Sequence, residues 1–195
     1  MTRSTQFDVD PIFVSRWSPR AFDPVSIPEE DVNRMLEAAR WAPSAYNIQP
    51  WRFVYALRDD ENWEEFVSLL NPFNAGWAKD ASALFFLVSD TIMPGDGDRP
   101  DMPATTNSLD AGGAWVQLAL QATQMGYHAH AMAGIEYDQI REKLEIPERF
   151  KIEAGIAVGT RIADHALDAE QKAAEVPSPR KAVEEIAYRG SFQHA

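Results

Sequence analysis

The sequence predicts an α+β fold, with a central, mostly antiparallel sheet flanked by helices. Three observations point to it. Helical and strand-like segments are interleaved, but without a regular strand–helix–strand rhythm. No glycine-rich phosphate loop follows a strand, because Gly112-Gly113 falls inside a helical segment and lacks the dinucleotide-loop spacing. One apolar run, 83–88 (Ala-Leu-Phe-Phe-Leu-Val), has strand length and no alternation, as expected of a strand covered on both faces.

The remaining elements follow in order. Residues 1–11 are polar and read as a flexible arm, followed by a short helix that ends before Ser18-Pro19-Arg20. Ser26-Ile27-Pro28-Glu29 has the spacing of a capped helix start, with Val32, Met35, Leu36 and Ala39 as its apolar stripe. That helix stops before Pro43, since the residue preceding proline avoids the α region. Residues 51–57 read as a strand, and Asp59-Asp60 as the cap of a helix carrying Trp63, Phe66, Val67 and Leu70. Residues 91–106 are rich in Pro, Gly and Asp and read as a loop of functional length. The longest helix covers 108–125, has a side of small residues (Ala111, Gly112, Gly113, Ala114, Ala119, Ala122), and ends at Gly126. A strand over 127–135, a short helix capped by Asp138 and a strand over 153–160 come next. A polar stretch and a final helix near Tyr188 complete the chain. The 195 residues suit one domain, with 163–195 as a C-terminal extension.

Composition removes several function classes. Net charge is −12, which disfavours nucleic acid and anionic membrane surfaces as partners. An anionic ligand would then need a local island of positive charge. Without cysteine there is no disulfide, thiolate metal site or cysteine nucleophile. No segment has signal-peptide or membrane-spanning character, so a soluble cytoplasmic protein is expected. His128 and His130 share one face of a strand, but no third ligand stands nearby. A pocket-facing strand end is therefore expected rather than a metal site. No serine elbow, HExxH or Walker loop is present.

Two segments could carry chemistry. Arg16-Trp17-Ser18-Pro19-Arg20 puts two guanidiniums and a hydroxyl within five residues, a donor set that matches phosphate; the same residues would also serve as a surface turn. Pro43-Ser44-Ala45-Tyr46-Asn47-Ile48-Gln49-Pro50 is a turn bounded by prolines between a helix and a strand. Its Ser44, Asn47 and Gln49 could read the edge of a planar heterocycle, or simply satisfy local backbone groups.

Together and in this order, the two segments resemble the FMN-dependent nitroreductase family. The resemblance extends through Ala21-Phe22-Asp23, Ala39-Arg40-Trp41-Ala42-Pro43-Ser44, Gln49-Pro50-Trp51, Asp80-Ala81-Ser82, Asp110-Ala111-Gly112 and Arg180, covering roughly 14–190. It implies an intertwined homodimer with FMN at each subunit interface and the C-terminal extension on the partner. Arg16, Trp17 and Ser18 would stand at the FMN phosphate and ribityl chain, with Arg180 closing on the phosphate and Arg20 near the N1–C2 edge of the flavin. Pro43, Ser44, Asn47 and Gln49 would line the ring from the other subunit. Asn74 would face the pyrimidine side, and Ala133 and Gly134 the N5 edge. Catalysis would rest on the flavin rather than on a protein acid or base. NADPH or NADH would reduce it, and a nitroaromatic, a quinone or a similar acceptor would reoxidise it from the same place, giving ping-pong kinetics. A storage or sensing flavoprotein, a dehalogenase or dehydrogenase relative, and a relative that no longer binds FMN are the alternatives. Trp77 stands where some members carry a lysine near the flavin, and the 91–106 loop replaces the helices that often cover the substrate.

Overall fold

The strand at the centre of the sheet is the unbroken apolar run, and both its faces are used. The computed structural model describes residues 3–192; residues 1, 2 and 193–195, His194 among them, lie outside the described residues. In chain order the elements are α1 (Ile12–Ser15), α2 (Glu29–Ala39), β1 (Trp51–Leu57), α3 (Trp63–Ser68), α4 (Pro72–Ala78), β2 (Ala83–Asp90), β3 (Ile92–Met93), β4 (Met102–Pro103), α5 (Asn107–Gln124), β5 (His128–Met132), α6 (Tyr137–Lys143), β6 (Phe150–Gly159) and α7 (Ala169–Ala174). The main sheet has the order β1-β2-β6-β5 with every neighbouring pair antiparallel, as the sequence predicts.

All eight residues of β2 are buried. Side chains alternate across a strand, so Ala83, Phe85 and Leu87 join one apolar cluster with Val32, Met35 and Ala39 of α2 and Ala111, Ala114 and Leu118 of α5. Leu84, Phe86 and Val88 join the other, with Trp63 and Phe66 of α3, Ala78 of α4 and Ile140 of α6. Each fully buried phenylalanine of β2 contributes about 1.5–3 kcal/mol through surface withdrawn from water. The alanines of α5 let α2 lie close against it. The small-residue side of this helix is thus largely consumed within the chain, while Leu109 and Val116 point outward. Gly126 ends α5 with a positive φ of 86°, the left-handed stop the sequence predicts.

Several local expectations are corrected. Ser26 does not cap α2, because Pro28 is the extended N-cap residue and the Ser26 hydroxyl bonds to Asp59. The acidic first turn, Glu29, Glu30 and Asp31, complements the helix dipole instead. Asp60 closes the β1–α3 turn by accepting from Leu57 N at 2.8 Å, and α3 starts only at Trp63. Asp138 lies inside α6, whose N-cap is Glu136. The 91–106 segment is not structureless, since β3 and β4 pair within it as a small hairpin. Near Tyr188 the described residues form no α-helix; a 3₁₀ turn at Val183–Glu185 precedes it. Two helices were unanticipated although their caps are legible. Asn71 caps α4 ahead of Pro72, and Asp168 with Gln171 makes a capping box for α7. Among the described residues, no helix is long and apolar enough to cross a membrane.

Candidate functional site

The 16–20 segment is fixed at one end of the sheet by backbone pairing just downstream of it. Asp23 N donates to Thr160 O at 2.8 Å and Ile162 N to Ala21 O at 3.0 Å, so residues 21–23 run alongside the end of β6. Phe22 is buried there and stacks on Trp77 of α4, with ring centroids 6.1 Å apart. Three side chains from distant parts of the chain then hold the segment. The Arg3 guanidinium donates to Arg16 O at 2.7 Å and to Val14 O at 3.0 Å. His130 Nδ1 lies 2.8 Å from Pro19 O. Glu175 accepts from Arg20 N at 2.7 Å.

The result is a cleft of about 260 Å³ lined by Arg3, Arg16, Trp17, Ser18, Arg20 and His130 together with Ala174, Val176, Ser178 and Arg180 of the C-terminal extension. Five of the sequence-predicted residues, Arg16, Trp17, Ser18, Arg20 and Arg180, are thereby brought together. Among the described residues, no carboxylate forms an ion pair with Arg3, Arg16, Arg20 or Arg180. Burial, and then the neighbouring charges of Arg3 and Arg180, pull the Arg16 guanidinium below its ordinary pKa. Arg3 is lowered in the same way by burial and by Arg180. Like charges held this close favour an anion between them. Guanidinium donors in a fixed fork geometry, half-buried at Arg3 and Arg16 and exposed at Arg20 and Arg180, are also the chemistry that selects phosphate or carboxylate.

A wall beside the cleft carries the next group of predicted residues. Trp77 of α4 packs on His130 with ring centroids 4.7 Å apart, and its Nε1 donates to Asn74 Oδ1 at 3.3 Å. Asn74 Nδ2 donates in turn to Gly134 O at 2.9 Å, where Asn71 N also donates at 3.1 Å. Ala133 O accepts from Ile135 N at 3.0 Å. A side chain on Gly134 would meet Asn74 Nδ2 at 2.6 Å and Asn71 Cγ at 2.9 Å, so the close approach of these asparagines requires glycine. The Arg20 guanidinium lies 5.4 Å from the centre of the Phe73 ring, linking this wall to the cationic cleft.

Pro43, Ser44, Asn47 and Gln49 do not line the cleft of their own chain. They form a separate, strained turn in which Tyr46, Asn47 and Gln49 all have positive φ, between 50° and 55°. Ser44 Oγ accepts from Gln49 N at 3.0 Å, and the Gln49 side chain donates to Asn47 O at 3.0 Å. Beneath them, buried Asp110 accepts from Ala45 N at 3.2 Å and from the Thr106 hydroxyl at 3.1 Å.

Sequence reasoning overlooked Arg3, Glu175 and Ser178. Arg3 sits in a polar arm with no local pattern to distinguish it, and only the return of the chain reveals its place. Among the described residues no group of three potential metal ligands is assembled. Burial holds both His128 and His130 below the ordinary histidine pKa, His128 helped by Arg161 and His130 by Arg20 and Arg16.

An antiparallel sheet in an α+β fold ends at a cleft lined by four arginines, none of them ion-paired among the described residues, and that donor set suits an anionic ligand. The model of the nitroreductase family matches this chain over residues 14–72 and 60–160. An enone reductase of CLA biosynthesis from Lactiplantibacillus plantarum is 28% identical, over 78% of this chain and 85% of that protein. A crystal structure of an oxidoreductase containing FMN superposes with a TM-score of 0.93 at 48% identity, covering 99% of this chain and 97% of the other. A protein of Exiguobacterium sibiricum 255-15, assigned to the nitroreductases and crystallised in complex with FMN, gives a TM-score of 0.74 at 25% identity, over 95% and 99% of the two chains. The chain belongs to the nitroreductase family and is an oxidoreductase by that membership.

Proposed function

We propose that this chain is an FMN-dependent NAD(P)H oxidoreductase, working as a cytoplasmic homodimer on electron-poor acceptors such as nitroaromatics, quinones or conjugated enones. The observation that carries the reading is the convergence of Arg16, Ser18, Arg20 and Arg180 on one cleft, with none of the arginines ion-paired among the described residues, in a chain of net charge −12. A phosphate monoester fits this donor set. The FMN content of two solved relatives and the enone reductase activity named for a third point the same way.

FMN, when bound, supplies the two-electron redox chemistry. The residues of the chain then bind, orient and exclude water. Arg16, Ser18 and Arg180 hold the phosphate, with Trp17 beside them. Arg20 sets positive charge toward the pyrimidine edge. Asn74, whose amide is committed to Gly134 and Trp77, positions the Ala133-Gly134 backbone beside the ring. Pro43, Ser44, Asn47 and Gln49 complete the site of the second copy. The outer face of α5, with Leu109 76% and Val116 47% exposed, supplies an apolar surface for that copy, beside exposed Trp41. Reduced nicotinamide and acceptor use one position in turn, which gives ping-pong kinetics.

The test is to purify the protein without added flavin, record its visible spectrum and identify any released cofactor by mass. A yellow protein that releases FMN, is bleached by NADH or NADPH without air and recovers on adding a quinone supports the reading. A colourless protein that cannot take up FMN overturns it, and sequential kinetics overturns the shared position.

A further inference from the structure

We infer that Arg3 is a third phosphate-binding arginine, and that a clasp between Gln6 and the C-terminal extension holds it in place. The inference rests on the anion-binding reading of the cleft and adds to it a residue outside the family motif. Three observations carry it.

First, Arg3 lines the same cleft as Arg16 and Arg180; the charge of Arg180 disfavours that of Arg3, and both disfavour that of Arg16. A chain that only needed to anchor its N-terminal arm would gain nothing by adding a third guanidinium to two others. It would gain if an anion were to sit among them. Second, the Arg3 side chain is only partly used. Its Nη1 donates to Val14 O and Arg16 O, but its buried Nε has no partner. A guanidinium N–H left without an acceptor is unfavourable, and Nη2, which makes no hydrogen bond among the described residues, is the donor left for an entering phosphate oxygen. Third, the arm is tied to the segment that delivers Arg180. Gln6 Oε1 accepts from Val183 N at 2.8 Å, and Gln6 Nε2 donates to Glu184 at 3.1 Å. Val183 is three residues beyond Arg180. The clasp therefore links the N-terminal arm to the C-terminal extension, and with them Arg3 and Arg180, which line one cleft.

The ligand class is a phosphate monoester, whether part of FMN or free in solution. The experiment compares wild type, Arg3→Ala and Gln6→Ala as full-length protein stripped of flavin. Each is titrated with FMN and with riboflavin, which lacks the phosphate, by flavin fluorescence, and with inorganic phosphate by thermal unfolding. Loss of one charge-assisted contact predicts FMN affinity about ten- to a hundredfold weaker in Arg3→Ala, with riboflavin affinity within about twofold of wild type. Gln6→Ala weakens FMN by a smaller factor, in the same selective way. Equal weakening of FMN and riboflavin in Arg3→Ala would make Arg3 a structural prop and overturn the inference, as would unchanged binding of both. If wild type binds neither flavin but is stabilised by phosphate, and Arg3→Ala loses that stabilisation, the flavin reading fails while the phosphate site stands. If wild type responds to none of the three, both fail.

Discussion

His130 Nδ1 stands 2.8 Å from the carbonyl oxygen of Pro19, and this contact, with His128 edge-on to Trp17 at 6.0 Å between ring centroids, joins strand β5 to the cationic segment. A carbonyl only accepts, so the proton resides on Nδ1 and Nε2 keeps its lone pair. Neutral His130 already satisfies the contact, and burial disfavours charging the ring. His128 beside it is also lowered, by burial and by Arg161.

The sign of the pH effect follows from those two shifts. In the unfolded chain both rings titrate near 6.5, whereas in the folded chain they take up protons only at lower pH. The unfolded state therefore binds more protons below about 6.5, and stability is lost as pH falls through that value. Thermal unfolding followed from pH 7.5 to 5.5 should show a falling midpoint. Replacing both rings (His128→Asn with His130→Asn) should flatten the slope; an equally steep slope would assign it to other groups.

Asp110 organises the turn that carries Ser44, Asn47 and Gln49. Asp110→Ala removes the acceptor of Ala45 N and Thr106 Oγ1. A destabilisation of about 1–3 kcal/mol is expected in denaturant titrations. If the turn completes a partner's site, FMN and riboflavin affinity should fall together, in contrast to the phosphate-selective loss expected for Arg3→Ala.

Gly134 tests the wall beside the cleft. The methyl group of Gly134→Ala must displace Asn74 and Asn71, which hold the Gly134 carbonyl and cap α4. Overpacking of this kind costs about 1–3 kcal/mol. Crystallography or amide exchange should place the disturbance at α4, and an unperturbed α4 would show that the asparagines yield freely.

Trp77 lies between Phe22 and His130. Trp77→Ala should lower stability by about 3 kcal/mol through the cavity it leaves. Loss of the stacking partner should also increase the solvent exposure of His130, visible as a shift of its NMR titration toward the ordinary histidine value. A Trp77→Phe variant should restore most of both.

The proposed homodimer is tested by mass. Sedimentation of wild type should give twice the 21.9 kDa of the chain. Leu109→Glu with Val116→Glu places charges on the outer face of α5 and should yield monomers with weakened flavin binding. A monomeric wild type that binds flavin normally would overturn the shared site.

The sequence by itself determined the frame. The β2 run is apolar at every position except its last two, which marked it as a strand covered on both faces; which residues face which helical layer came from the structure. The stripe of α2, the glycine stop of α5 and the strand at β1 were likewise legible, because each rests on local periodicity or backbone restriction. The arginine pair at 16 and 20 could be marked as donors from residue type and spacing, whereas Arg180 was marked only through the family resemblance. Capping was read less well. Ser26 and Asp60 have the right side chains, but tertiary partners and turn closure claimed them. Only the tertiary structure decided which charges share a cleft. Arg3, Glu175 and Arg180 are separated from the 16–20 segment by up to 160 or so residues, and nothing local encodes their meeting. Their convergence depends on residues 21–23 pairing with the end of β6 and on the C-terminal extension returning across the arm. Long-range pairing set those positions, and the side-chain chemistry then set what the cleft can hold.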